Sequence, residues 1–207
     1  MNVSSFRRED ESRDPLFYEQ SRLVVHIDQL AVESIRQYLG QRLPGSGLIL
    51  DLMSSWRSHF PVDSGLRHVV GLGLNAEEMN QNPQLTECLL HDLNANPRLP
   101  FKEDIFDSAV VTVSIQYVTN PLRIFRDMLR VLKNEASFHV IYSNRMFPTK
   151  AVQIWRMLDD QDRGELIKQY FEKSGEWEQI ELLGLGDSDF GTDPVFVVTA
   201  RKPRRRR

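Results

Sequence analysis

Two hydrophobic patterns alternate along this chain: short uninterrupted apolar runs, and longer stretches with an apolar residue every three or four positions. Ile27, Leu30, Ala31, Ile35, Tyr38 and Leu39 recur at helical spacing, which predicts a helix over 26–39 with Gly40 just beyond its end. Pro44-Gly45-Ser46-Gly47 then forms a turn, and 48–53, Leu-Ile-Leu-Asp-Leu-Met, reads as a strand buried on both faces. Further strands are predicted at 68–74, 87–92, 106–114 and 137–142. Asn75 caps a brief helix over 76–80 that must stop before Pro83. Asn120-Pro121 opens a helix whose buried stripe is Leu122, Phe125, Met128, Leu129 and Leu132, with Asn134 in the left-handed stop position. After Tyr142 come a helix from Pro148 through Leu158, a second carrying Leu166, Ile167, Tyr170 and Phe171, and strands near 179–183 and 194–200. Residues 1–20 are polar and charge-mixed and predict a loose segment. Strands alternating with helices predict one α/β domain, a sandwich around a mostly parallel sheet of seven strands. The boundaries that follow are an N-terminal extension at 1–25, a domain at 26–202 and a basic tail at 203–207.

Charge narrows the function classes. The 207 residues carry a net charge of −3, but residues 201–207 hold six of the 26 basic side chains. The remainder sets 20 basic against 29 acidic groups, a net of −9, which argues against a general nucleic-acid binder. The arginine tail alone could meet phosphate or anionic lipid. A single cysteine, Cys88, excludes an internal disulfide and a cysteine-based zinc site, and the five histidines show no metal spacing, so no metal is expected. No apolar run approaches the ~18 residues of a membrane helix, and the first ten residues lack the apolar stretch of a secretory signal. The expectation is a cytoplasmic protein.

In an open α/β sheet, ligands bind beyond the carboxyl ends of the strands. The residues there are Asp51 with Ser54 and Ser55, then Gly73 and Asn75, Asp92 and Leu93, and Thr112, Ser114 and Tyr117. Gly71-Leu72-Gly73-Leu74-Asn75-Ala76 spells the G-x-G-x-x-A of a dinucleotide site, but its helix is cut short by Pro83.

Asp92-Leu93, Leu99-Pro100-Phe101, Phe106-Asp107 and Arg130-Val131-Leu132-Lys133, in that order, resemble the second half of a class I S-adenosylmethionine-dependent methyltransferase. The resemblance runs from about His26 to Lys202. Ser54-Ser55-Trp56-Arg57-Ser58-His59 and 143–150, Ser-Asn-Arg-Met-Phe-Pro-Thr-Lys, are similar to segments of one branch of that superfamily. It implies a Rossmann-like three-layer sandwich, with a seven-stranded, mostly parallel sheet and an antiparallel final strand, S-adenosylmethionine as cofactor and a small-molecule acceptor. Asp51, Ser54, Ser55, Gly73, Asn75, Asp92, Leu93, Thr112, Ser114 and Tyr117 are the implied cofactor contacts: Asp92 lies near the adenine or caps a helix or turn, Asp51 meets the methionine amino group or bonds the backbone of its own loop, and Tyr117 closes over the ligand or is a core aromatic. His59, Tyr117 or the 143–145 segment could accept a proton, and none is singled out. Two departures stand out. The family's glycine-rich loop reads Asp51-Leu52-Met53-Ser54-Ser55-Trp56-Arg57 here, with Met53 and Arg57 calling for a different loop geometry. The acid that should end strand two is Gly73, leaving Asn75 as its substitute. These departures motivate the alternative of a non-catalytic module of the same fold.

Overall fold

The computed structural model describes residues 3–61, 67–186 and 191–204. Arg205–Arg207 of the basic tail lie outside them. Seven strands, β1 (Gly47–Leu52), β2 (Arg67–Gly73), β3 (Glu87–Leu90), β4 (Phe106–Thr112), β5 (Leu132–Ser143), β6 (Glu178–Leu185) and β7 (Val195–Arg201), form one sheet in the order β3-β2-β1-β4-β5-β7-β6. The first five are parallel, and β7 runs antiparallel to both its neighbours. The order reverses between β1 and β4, so their carboxyl ends flank the switch point where α/β sheets bind ligands.

The uninterrupted apolar runs follow from burial on both faces. Successive side chains point to opposite sides of a sheet. Leu50, Val111, Val140 and Val198 join one core, while their immediate neighbours Ile49, Val110, Ile141 and Val197 join the other. Helices α4 (Pro121–Val131) and α6 (Asp160–Ser174) cover the first face, and α2 (Gln29–Arg42) covers the second. Two short helices, α1 (Asp14–Phe17) and α3 (Ala76–Asn80), sit near the carboxyl ends of the strands, and α5 (Gln153–Met157) precedes α6.

Several sequence expectations are corrected. The first long helix starts later and runs further, because Asp28 caps it by accepting from the Ala31 N–H at 2.9 Å. Gly40 lies inside it, where a Cβ would come 3.3 Å from the Pro61 ring. The strand over 106–114 stops at Thr112, because Val113 turns left-handed at φ 49°. The buried face of α4 includes Ile124 and Val131, whereas Leu122 and Leu129 are only partly buried. Its chain passes directly into β5, so the left-handed residue is Glu135 (φ 65°), not Asn134. Asn120 makes no side-chain cap bond. Residues 148–152 form turns rather than the start of a helix.

The largest correction concerns the N-terminus. Residues 3–28 are packed as a strap over the carboxyl ends of the strands. Its anchor is Lys150, whose side chain has no exposure at all. The Lys150 ammonium donates to the Ser12 carbonyl at 2.7 Å and the Ser12 hydroxyl at 3.1 Å, and lies 3.4 Å from Asp14. Asp14 is itself buried and pairs with Arg8 at 2.5 Å. At the other end of the molecule, Arg201 pairs with Ser137, at the amino ends of the parallel strands. Residues 202–204 therefore leave the sheet at the opposite end from the strap.

Removing one member of a buried ion pair costs about 3–5 kcal/mol. Lys150→Met keeps the aliphatic stem and deletes the ammonium, while Asp14 retains Arg8. The expected loss is near the lower figure, about 3 kcal/mol, read from the urea unfolding midpoint. An unchanged midpoint would mean that Lys150 does not anchor the strap.

Candidate functional site

The loop after β1 keeps a glycine-like path without glycine. Met53 takes φ 59°, the left-handed conformation that glycine enters at no steric cost. The turn delivers the Ser54 N–H to the Leu72 carbonyl at 2.9 Å and folds the loop onto the end of β2. The missing acid on β2 has its explanation here. A Cβ at Gly73 would stand 2.2 Å from the Ser54 carbonyl oxygen, so no carboxylate side chain fits at that position.

Asp51 is buried, and one of its oxygens accepts from Ser54 at 2.5 Å and Ser58 at 2.7 Å. Asn82 in turn donates to the Ser58 hydroxyl and the Ser55 carbonyl, both at 2.8 Å. Burial pushes the Asp51 carboxyl up to about 6, against the opposing pull of the two serine hydroxyls. The Ser55 hydroxyl donates to Glu78 at 2.6 Å. Across the switch point, Val113 is a β-branched residue held left-handed, with its N–H on the Ile141 carbonyl at 2.8 Å. Such conformations cost about 1–3 kcal/mol and cluster at functional sites.

The strap brings Asp14, Tyr18, Arg22 and His26, spaced by four, against these strand ends. It is tied down along its length. Asn75 donates to the Tyr18 carbonyl at 2.8 Å, Glu78 accepts the Arg22 N–H at 2.7 Å, and Trp56 donates to the Val24 carbonyl at 3.1 Å. Asn94 donates to Asp14 at 2.7 Å. From the far side, the Phe147 N–H donates to the Tyr117 hydroxyl at 2.8 Å, and the two rings stack 6.0 Å apart.

Strap and strand ends enclose a cavity of about 340 Å³. Ser54, Ser55, Gly73, Asn75, Asp92, Leu93, Ser114 and Tyr117 all line it, as expected from their places in the sequence. Asp51 and Thr112 do not. They line a smaller chamber of about 100 Å³, which shares His26, Met53, Ser54, Ser55, Val113 and Ser114 with the larger one. The Thr112 hydroxyl is buried there with no hydrogen-bond partner among the described residues.

Some expected roles are already taken by the protein itself. The Asn75 side chain caps α3 through the Glu78 N–H at 3.0 Å as well as holding the strap, so it is not free for a ribose hydroxyl. Asp92 lines the cavity, where one of its oxygens accepts from the Asn94 and Ala95 N–H groups and the second has no hydrogen bond among the described residues. Tyr117 is tied to Phe147, and Arg145 is paired with Asp193 at 2.7 Å. Buried Ser143 lies outside the lining. His59 lines the smaller chamber, where burial and the nearby Arg36 and Arg57 push it down to about 4.

Sequence reasoning missed Arg22, His26, Tyr18 and Asp14. Their spacing of four was the only signal, and it sits in a segment without an apolar stripe. His26 is exposed at the junction of the two chambers. Desolvation, outweighing the nearby Glu78, and the positive Arg22 hold it below the usual imidazole range. Among the described residues, no group of three or more His, Cys, Asp or Glu side chains could hold a metal, and no helix is long and apolar enough to cross a membrane.

Residues 45–140 match the family profile described as a methyltransferase domain. The fold is similar to that of an S-adenosylmethionine-dependent methyltransferase from Thermotoga maritima, at 17% identity and a TM-score of 0.62, over 84% of this chain and 90% of that one. A methyltransferase from Aquifex aeolicus is similar at 15% identity and a TM-score of 0.57, over 85% and 90% of the two chains. The [4+2]-cyclase SpnF is similar at 14% identity and a TM-score of 0.59, over 83% and 81%. No curated protein matches the sequence. The profile match thus spans the switch point, and the sheet order β3-β2-β1-β4-β5-β7-β6 around it gives the chain the Rossmann-like fold of the S-adenosylmethionine-dependent methyltransferases to which it is similar.

Proposed function

We propose that the chain transfers a methyl group from S-adenosylmethionine to a small-molecule acceptor held in the larger cavity. The observation that carries this reading is the pair of joined chambers at the carboxyl ends of β1 to β4. The larger has a free Asp92 oxygen, and the smaller an unsatisfied Thr112 hydroxyl beside Asp51. A nucleoside with an amino-acid arm needs that division. The residues fit it: Asp92 and the Leu93 backbone suit an adenine edge, and Asp51 and Thr112 suit an ammonium-bearing end. When bound, the cofactor supplies an electrophilic methyl on a sulfonium centre. The protein's part is to align the acceptor and exclude water, and the strap roofs the site for that purpose. His26, neutral at pH 7, is positioned to take a proton from an acceptor hydroxyl or amine.

A second reading is a module of this fold that does not methylate. Its supporting observation is the filled end of β2, where Ser54 stands in the space of the ribose acid and Asn75 is committed to the strap. SpnF, named as a cyclase, is a neighbour of the same fold.

Two titrations separate the readings. Asp92→Asn keeps the turn-capping oxygen but weakens the acceptor offered to adenine. S-adenosylhomocysteine affinity should fall about threefold to tenfold, the worth of one hydrogen bond at about 0.5–1.5 kcal/mol, with the melting temperature unchanged. Equal affinities for the wild type and this variant would remove Asp92 from the site, and no binding to the wild type at millimolar ligand would favour the non-catalytic reading.

The second uses pH. With its carboxyl raised to about 6, Asp51 is mostly protonated at pH 5 and ionised at pH 7. An ammonium beside it favours the ionised form, so S-adenosylhomocysteine affinity should rise as pH increases through 6. Asp51→Asn should flatten that rise. The same slope in both proteins would show that the amino-acid end lies elsewhere.

A further inference from the structure

We propose that the acceptor is a flat aromatic carboxylate, and that Arg22 of the strap is its anion receptor; the role as acceptor rests on the methyl-transfer reading. Arg22 lines the larger cavity. Its side chain donates to the Phe17 carbonyl at 2.9 Å and makes no ion pair with any carboxylate among the described residues. Asp92 keeps one oxygen without a bond among the described residues, and the remaining charged side chains of the lining are engaged. Asp14 has Arg8 and Lys150, Arg145 has Asp193, and Glu78 takes the Arg22 N–H and the Ser55 hydroxyl. Arg22 therefore offers the cavity an unmatched planar cation, and a guanidinium fork suits a carboxylate in particular.

The cofactor's own carboxylate is the competing partner, and the division of the chambers argues against it. The amino-acid end is assigned to the smaller chamber, which Arg57 and His59 line and Arg22 does not. The surroundings of Arg22 then set the shape of its ligand. Its guanidinium lies over the Phe17 ring at 4.5 Å and faces the Phe147 ring at 5.5 Å. Phe147 stacks with Tyr117 and meets His26 edge-on at 5.0 Å. A ring lying on this wall buries apolar area and keeps the offset or edge contacts aromatic groups prefer. It also puts the carboxylate within the reach of the Arg22 fork and other ring substituents toward His26.

The test is calorimetry on the full chain, free and loaded with S-adenosylhomocysteine, using 2-naphthoate, 2-naphthamide and cyclohexanecarboxylate as probes. The wild type should bind 2-naphthoate at least tenfold more tightly than the neutral amide or the non-planar acid. Arg22→Gln should abolish the acid-over-amide preference, and Arg22→Lys, which keeps the charge and so guards against a simple loss of structure, should retain at least threefold. S-adenosylhomocysteine and 5′-methylthioadenosine, which lacks the amino-acid arm, should bind wild type and Arg22→Gln alike within twofold. Equal binding of acid and amide by the wild type would overturn the proposal. So would an Arg22→Gln protein that loses S-adenosylhomocysteine affinity, keeps that for 5′-methylthioadenosine and still prefers acid to amide, because Arg22 would then hold the cofactor. A wild type that binds no S-adenosylhomocysteine yet prefers the acid through Arg22 would sink the methyl-transfer reading and uphold the receptor.

Discussion

An ammonium group taken fully out of water must be surrounded by acceptors, because an unpaired buried charge is among the costliest features a fold can carry. Lys150 is in that position, and its hydrogen bonds within the described residues run to the strap, to the Ser12 carbonyl and hydroxyl, with Asp10 and Asp14 completing the charge balance. The strap is therefore a structural requirement of the corner that follows β5. Once Asp14 is fixed, Asn94 is held against it and so is the turn after β3. Once residues 12–14 are fixed, Phe17, Tyr18 and Arg22 have one path over the strand ends, and Asn75 and Glu78 receive it there. The Ser-Asn-Arg-Met-Phe-Pro-Thr-Lys segment and the Ser-Ser-Trp-Arg-Ser-His segment thereby acquire a physical role. The first supplies Lys150 and Phe147, and the second supplies Ser55, which bonds Glu78, and Trp56, which bonds the strap directly.

The departures from the family's pattern have local causes. With Met53 left-handed, Ser54 folds back against Leu72 and occupies the space a side chain at position 73 would need. With Asn75 and Glu78 bonded to the strap, the polar groups after β2 hold protein rather than solvent. The result is a wall built where a glycine loop and an acid are usual. The two chambers meet along Met53 and Val113, both held in left-handed backbone.

The fold was legible in the sequence because burial on both faces leaves a direct trace. Leu48-Ile49-Leu50 and Ala109-Val110-Val111 have no polar alternation, so a central parallel strand explains them better than a one-sided sheet. The places of Ser54, Ser55, Asp92, Leu93 and Tyr117 followed from the same reading, since strand ends at a switch point must line one edge. What was illegible was held by long-range polar contacts. The bonds from Lys150 to Ser12 and from Asn75 to Tyr18 span 138 and 57 residues, and neither leaves any periodicity in the chain. Gly40 misled because a glycine that ends a helix and one that admits Pro61 at close range look the same in sequence. Asn134 misled for a related reason: the left-handed residue was displaced by one, to Glu135, whose N–H meets the Lys202 carbonyl just beyond β7.

The central claim is that the strap forms one wall of the ligand site. Hydrogen–deuterium exchange of the full chain, with and without saturating S-adenosylhomocysteine, tests it most directly. The account predicts slower exchange on binding for amides of residues 12–28 and for the loops after β1, β3 and β4, with no change at the amino ends of the strands. Saturated binding that protects the strand-end loops while leaving the strap unchanged would contradict it.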